Sequence, residues 1–314
     1  MRNGISVIIP TYNREKFIAE AIQSVLDQKF DGKIEIIISD DGSTDRTLPL
    51  VESFGNKVLL LYKCKSCKNQ GVSGTRNRGL QIATQPYICF LDSDDLYLQG
   101  HLQKMVSKME DKPASGFVFC RSLDLKEENG IRLFKPWTHG RIFKKDISNP
   151  SIFRSHVVNT NCFLFRKEVF ETVGTFNEAY TNFEDIDLWM RISEKYRGTF
   201  SNHFGAVYRT NHGGTQLTKN SYDEKKIACL CKIQKDALSR YYELNLKDRN
   251  RLFELKHLLL HCQYQNNKLK YGIKYFNLIL SDPGNFIQRI IPFFFMTFEK
   301  RKNRKWRDLQ NFLS

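Results

Sequence analysis

Three carboxylates crowd the end of one apolar run: Tyr87-Ile-Cys-Phe-Leu leads directly into Asp92, Asp94 and Asp95, with Ser93 among them. Like charges this close repel, and the arrangement persists most readily where a cation is shared. The apolar run reads as a buried parallel strand, and the carboxyl end of such a strand is where open α/β sheets bind ligands. The segment therefore reads as a divalent metal site. The plainer alternative is an acidic turn, where Asp and Ser are ordinary residues. A second acidic stretch, Asp40-Asp-Gly-Ser-Thr-Asp45, also follows an apolar run. A carboxylate there can accept hydrogen bonds from a base N–H or from ribose hydroxyls, and Gly42 lets the backbone approach a flat ligand. The same stretch reads as a helix start capped by Ser43 or Thr44. A third cluster, Glu184, Asp185 and Asp187, opens a helical pattern. The helix dipole would keep Asp185 ionised, while its acidic neighbours push its proton affinity up; the sequence leaves that balance open. By itself the cluster is equally an acidic first turn without chemistry.

The elements that must position these residues alternate through the first hundred positions as strand and helix, the pattern of βαβ units around a parallel sheet. Strands are expected at 5–9, 34–38, 58–61 and 87–91. A helix carrying Phe17, Ile18, Ala21, Ile22, Val25 and Leu26 on one face follows the first, and another covers about 73–83. Parallel order then lines up three polar strand ends along one edge. Beyond residue 116 the pattern loosens: strand-like pieces at 116–120 and 162–165 flank a stretch holding Trp137, His139, His156 and Asn159, residues whose spacing compels no acceptor role and which read mostly as packing or surface positions. A helix over 184–195 buries Ile186, Trp189, Met190 and Ile192, and the chain after 220 reads helical, broken by Pro283 and Pro292.

Taken in order, Val7-Ile-Ile-Pro-Thr-Tyr-Asn13, Ser39-Asp-Asp-Gly-Ser-Thr-Asp45, Asn69-x-Gly71 with Arg76-Asn-x-Gly79, Phe90-Leu-Asp-Ser-Asp-Asp95 and Glu184-Asp185 before Leu188-Trp189 resemble the motifs of family 2 glycosyltransferases. The resemblance spans about residues 4–215. It implies the A-type glycosyltransferase fold, an α/β domain with a nucleotide-binding, mostly parallel sheet flanked by helices, here with a C-terminal helical extension. It further implies inverting transfer from a nucleotide-diphosphate sugar with Mg²⁺ or Mn²⁺. Position by position, Pro10, Thr11 and Tyr12 would hold the nucleoside, Asp41 the uracil or equivalent base, and Arg76 would lie beside base or diphosphate. Asp94 would contact the metal, with Asp92 the second metal candidate and nearer the ribose, and Ser93 would be among the donor-binding residues. Asp185 stands at the general-base position. Tyr208-Arg209-x-x-His212 with Gly213 and Gly214 resembles a late segment that closes over phosphates. Arg209 or His212 would then neutralise the leaving group, with His212 also a candidate for metal contact. The implied donor is a UDP-sugar, and the acceptor a hydroxyl of a glycan or lipid-linked sugar.

The 314 residues suffice for a sizeable core and divide by charge. Residues 219–314 hold 20 Lys+Arg against 9 Asp+Glu, which is +11 of the total +15. We expect a nucleotide-sugar-binding domain over 1–218 and a basic helical extension over 219–314. In the extension, an apolar stretch from Phe286 to Phe298 runs into the basic 299–307 around Trp306. That pairing suits a helix lying on an anionic membrane surface, the alternative being a helix that closes the core followed by a solvated charge run. The apolar start before Pro10 is too short for a signal peptide, and no run is long enough to span a bilayer, so the expected location is cytoplasmic, peripheral at the cytoplasmic face of the inner membrane. Eight Cys are expected as reduced thiols, with Cys89, Cys120 and Cys162 packing as small hydrophobes. Cys64 and Cys67 lack a second pair at zinc spacing. Two other classes compete. A sugar nucleotidyltransferase would present a glycine-rich basic loop after the first strand, where Pro10–Asn13 has none. A non-catalytic basic module binding nucleic acid or membrane leaves the strand-end aspartates unexplained, so no nucleic-acid partner is expected.

Overall fold

Parallel strand ends along one sheet edge carry the acidic turns of this protein, whose computed structural model describes residues 4–62, 70–128, 130–136, 159–210 and 224–243. Strand β1 (Ile5–Thr11) lies between β2 (Ile34–Asp40) and β4 (Tyr87–Phe90), parallel to both, and β3 (Leu59–Leu61) extends the sheet beyond β2. β1 and β4 are buried along their whole length, which is why they read as nearly continuous apolar runs rather than alternating ones. The register pairs Thr11 with Asp40, and the Leu91 N–H continues the ladder to the Ile8 carbonyl. The polar residues after all three strands therefore emerge side by side, as the sequence pattern expects.

Helix α1 (Ile18–Leu26) buries Ile18, Ala21, Ile22 and Val25, while α2 is short (Thr47–Glu52). Helix α3 (Gly71–Ile82) crosses β1 closely enough that a Cβ on Gly79 would sit 2.5 Å from Ile8 Cγ2. Only glycine permits that approach, and it brings the Arg76 turn of α3 down onto the sheet.

The sheet's second half is built differently. β8 (Phe163–Arg166) runs antiparallel to β4, β6 (Ser115–Glu128) antiparallel to β8, and β9 (Arg197–Thr210) parallel to β6. β5 (Leu96–Tyr97) closes the edge against β9, and β7 (Ile131–Pro136) pairs with β6. The α/β class holds, with the parallel pairs concentrated around β1 and antiparallel ones around β8. Helices α4 (His101–Glu110), α5 (Glu168–Val173) and α6 (Glu184–Lys195) complete this half. An aromatic cluster seats α6: Trp189 stacks on Phe165 at 4.7 Å between centroids, and Phe176 meets Phe90 edge-on at 5.2 Å. Such pairs add about 0.5–1.5 kcal/mol each beyond area burial.

Two strands of fourteen residues, β6 and β9, were not legible at that length, since only 116–120 was expected and 197–210 not at all. The reason is a break in their pairing. Phe119 faces Phe200 but Arg121 faces Phe204, so the two-residue alternation that marks a strand is lost mid-way.

By contact the chain divides into two compact units, Met1–Ser221 and Tyr222–Ser314. In the second, α7 (Glu224–Glu243) is described, with Ile233 and Ala237 buried. Among the described residues no helix is long and apolar enough to cross a membrane. The apolar and basic segment 286–307, and Cys64 and Cys67, lie outside the described residues.

Candidate active site

At the β1 and β2 ends the acidic residues are consumed by the backbone. Asp40 Oδ1 accepts the N–H groups of Gly42 and Ser43, each at 2.9 Å, and its Oδ2 accepts the Ser43 hydroxyl. Gly42 sits at φ 89°, in the left-handed region that allows the turn. Asn13, also left-handed at φ 52°, locks β1's exit onto this turn: its N–H donates to Ser43 Oγ at 2.9 Å and its Oδ1 accepts the Thr44 N–H at 2.8 Å. The expected capping by Ser43 or Thr44 is not what forms. Instead Asp45 accepts the N–H groups of Thr47 (3.0 Å) and Glu15 (3.1 Å), because Ser43 is already engaged with Asp40 and Asn13. Partial burial pushes the Asp45 carboxyl up, but these hydrogen bonds outweigh it and hold the group below its ordinary range.

Asp41 is buried and accepts the N–H groups of Gln70 and Gly71, the latter at 2.8 Å, at the start of α3. Arg78 approaches within 4.0 Å while donating to the Asp40 carbonyl. Pro10 and Thr11 are buried, Thr11 Oγ1 has no hydrogen-bond partner among the described residues, and Tyr12 projects with 45% of its surface exposed.

The turn after β4 sorts its carboxylates by direction. Asp95 faces inward: it accepts the Arg209 N–H at 2.7 Å and the Asn161 side-chain amide, and burial followed by the charges of Asp94 and Asp92 drives its pKa well up. Ser93 is buried. Asp92 and Asp94 keep side-chain exposures of 30% and 16%. Asn161 clamps the turn from below, its Oδ1 accepting the Asp92 N–H at 2.8 Å. The Arg14 guanidinium lies 3.5 Å from Asp94 Oδ2, so this carboxylate already draws a positive charge to itself. Hard, partly exposed oxygen donors beside a closed third carboxylate are a set that fits Mg²⁺ or Mn²⁺, which keep open positions for phosphate and water.

Arg209 is a correction. Expected on a closing loop over phosphates, it lies in β9 with its side chain 2% exposed. Its Nε donates to the Asp94 carbonyl (3.0 Å), Nη1 to Glu127 (2.7 Å) and Nη2 to Glu20 (2.6 Å), and its guanidinium covers Phe17. With every nitrogen engaged it supports the acidic turn from inside. Arg76 likewise does not reach outward. Fully buried, it donates to Glu184 at 2.7 Å and to Asp92 at 2.8 Å, with Phe176 under its face at 5.2 Å. That bridge joins the β4 turn to the start of α6.

At that start Phe183 holds φ 60°, a strained conformation for a bulky residue. Asp185 follows, accepting the Ile186 N–H at 2.8 Å and facing the Thr160 hydroxyl at 3.4 Å. Burial raises its pKa most strongly, the Arg76 charge lowers it, Asp92 raises it, and the net direction is up. Glu184 is also raised, by burial first and then by Asp185, against the pull of Arg76. The balance left open by the sequence is thus decided by burial, with Arg76 as the restraint.

His212, Gly213, Gly214, Trp137, His139 and His156 lie outside the described residues. Asn159 is described, and its Oδ1 accepts the Cys162 thiol at 3.1 Å. Sequence reading missed Asn161, Arg14, Glu20 and Glu127, all of which touch the acidic turn or its supports. For Arg14 the signal was present, directly after the Thr11-Tyr-Asn13 segment. Asn161 carried none.

Residues 6–174 match the family model for "Glycosyl transferase family 2". The chain belongs to this family. The GalNAc(5)-diNAcBac-PP-undecaprenol beta-1,3-glucosyltransferase of Campylobacter jejuni is 31% identical over 223 residues, 69% of each chain. A glycosyltransferase of Rickettsia conorii is 31% identical over 192 residues, which is 60% of this chain and 31% of that protein; one of Rickettsia typhi is 30% identical over 198 residues, 61% of this chain and 60% of that protein. The chain thus spans between about a third and three-fifths of the length of these Rickettsia relatives. In fold, the family 2 domain and its helices are similar to Staphylococcus aureus TarS residues 1–349 crystallised with UDP-GlcNAc. The TM-score is 0.63 at 20% identity, over 92% of this chain and 81% of that one.

Proposed function

We propose that this family 2 domain is an inverting glycosyltransferase that moves a sugar from a UDP-sugar to a hydroxyl of a lipid-linked or glycan acceptor. The observation that carries the reading is the Asp92–Arg76–Glu184 bridge, which sets Asp185 beside the acidic turn although about ninety residues separate them in sequence. Asp94, with Asp92, would hold Mg²⁺ or Mn²⁺, which when bound stabilises the negative charge that grows on a departing diphosphate. Pro10, Thr11 and Tyr12 would line the nucleoside, with Thr11 Oγ1 as a buried hydroxyl free to bond it. Asp41, already fixed at the start of α3, would receive the base. Asp92 and Ser93 would face the ribose.

Asp185 would take the acceptor proton. Its Oδ1 is tied to the Ile186 N–H, which leaves Oδ2, beside Thr160, as the basic atom. Burial raises its pKa, which makes it a stronger base once ionised, and the Arg76 charge opposes that rise. Arg76 and Arg209 act through carboxylates rather than on the donor. The TarS complex with UDP-GlcNAc supports UDP as the carrier, and the undecaprenol-linked substrate named for the Campylobacter jejuni relative supports a lipid-linked acceptor. Such an acceptor accords with segment 286–307 lying on anionic lipid at the cytoplasmic face, with His212 as a further metal-side candidate. Incubating the full chain with a panel of nucleotide sugars, with and without Mn²⁺, tests the reading. Metal-dependent release of UDP supports it; release of pyrophosphate from a nucleoside triphosphate and sugar phosphate would replace it with nucleotidyl transfer.

A further inference from the structure

Further along β6 and β9 from the end that holds Glu127 and Arg209, three side chains that bind transition metals converge. His101, the first residue of α4, Cys120 of β6 and His203 of β9 bring their ligating atoms within 4.8 Å of one another. His101 Nδ1 lies 3.2 Å from His203 Nε2 and 4.0 Å from Cys120 Sγ. A tetrahedral ion bound at about 2.0–2.1 Å to nitrogen and about 2.3 Å to sulfur requires separations of this size between its ligands. We propose that His101, Cys120 and His203 form a binding site for a borderline-soft divalent transition metal, Zn²⁺ first, separate from the hard oxygen site at Asp94.

Two independent features support a built site. The first is the break in strand pairing noted above. Phe119 faces Phe200 and Arg121 faces Phe204, so the single residue Cys120 is opposed by Ser201, Asn202 and His203. That bulge is what carries His203 to His101. Bulges commonly re-aim a side chain in this way. Gly205, just after it, leaves the space: a Cβ there would lie 2.1 Å from His101 Nδ1 and 2.9 Å from Cys120 Sγ.

The second is orientation from behind. His203 Nδ1 is 2.9 Å from the Ser201 hydroxyl, which turns Nε2 toward the other two ligands, as the outer hydrogen bonds of metal-bound imidazoles do. His101 and Cys120 are buried, whereas His203 also lines an open cavity of about 310 Å³ with Ser201, Lys104 and Asp111, which gives an ion and a completing water a way in. Cys120, expected to pack as a small hydrophobe, would serve as thiolate, its proton leaving to solvent when the metal binds. The bound ion would clip α4 to β6 and β9, the strands whose far ends hold Glu127 and Arg209.

The test is Co²⁺ titration of the full chain, read by absorption. The proposal expects one equivalent bound with a thiolate-to-cobalt charge-transfer band in the near ultraviolet, displaced by Zn²⁺. Cys120→Ser should lose that band, and so should His203→Asn, a half-exposed position whose replacement tests the site even if the buried cysteine variant fails to fold. Ser201→Ala should bind about 10–100-fold more weakly. Asp94→Asn should keep the band, which separates this site from the catalytic one. Absence of the band in the wild-type chain, or its survival in both Cys120→Ser and His203→Asn, would overturn the proposal.

Discussion

Two acidic stretches that look alike in sequence, Asp40-Asp-Gly-Ser-Thr-Asp45 and Asp92-Ser-Asp-Asp95, are used in opposite ways. In the first, Asp40, Asp41 and Asp45 all accept backbone N–H groups, and the carboxylates build a turn, a helix start and the mouth of α3. In the second, one carboxylate of three is turned inward as a support and two remain partly exposed, held in place through their backbone and through Arg76, Asn161 and Arg209. A carboxylate satisfied by amides stabilises the fold. One paired with cations and left facing solvent keeps a charge available for chemistry. The physical distinction lies in which partners the chain supplies, not in the acidic residues themselves.

That contrast breaks first at the proton acceptor. Asp185→Asn keeps the acceptor for the Ile186 N–H but cannot take a proton, so kcat should fall by about 10²–10⁴-fold with Tm little changed. Steady-state kinetics beside thermal melting checks it. Asp94→Asn should lower kcat by about 10²–10³-fold, with a small effect on folding, because the side chain sits partly exposed on the turn beside the Arg14 guanidinium. Unfolding of Asp94→Asn would place that residue with the architectural set.

Arg76→Met cuts the bridge between the two carboxylate regions and leaves Glu184 and Asp92 without their cation. Truncating one partner of a buried ion pair costs about 3–5 kcal/mol, measurable by urea denaturation. The same variant removes the charge that holds the Asp185 pKa down. The acid limb of the kcat/KM profile should therefore move to higher pH, and a shift to lower pH would reject Asp185 as the group observed. The smallest effect belongs to the architectural side. Asp45→Ala should cost about 0.5–2 kcal/mol of stability while kcat of the folded fraction stays near wild type. Since the Asp45 pKa is depressed in the fold, its contribution is present above the ordinary carboxylate value and fades as pH falls through the lowered one, a trend denaturation curves at acidic pH would show.

The parallel half of the sheet was legible because β1 and β4 are buried throughout and β2 from Ile36 on, so that all three show short runs rich in apolar residues. Helix α6 was legible to the residue, since Ile186, Trp189, Met190 and Ile192 repeat at helical spacing and all are buried. What the sequence hid is long-range pairing. The β9 strand carries a three-residue bulge opposite Cys120 that erases its alternation, so Arg209 read as a loop residue near phosphates instead of a buried support. Asn161 gave no signal because its function depends on Asp92 and Asp95 arriving from about seventy residues upstream. Motif spacing identifies carboxylates but not the cations and amides that fold brings against them.

The central claim, that the Asp92–Asp94 edge and not the Asp40–Asp45 edge holds a cation for the donor diphosphate, is tested most directly by calorimetric titration of UDP with and without Mn²⁺. The wild-type chain and Asp45→Asn should both bind UDP about 5–150-fold more tightly with the metal. In Asp94→Asn that metal-linked gain should vanish. An undiminished gain in Asp94→Asn would contradict the account.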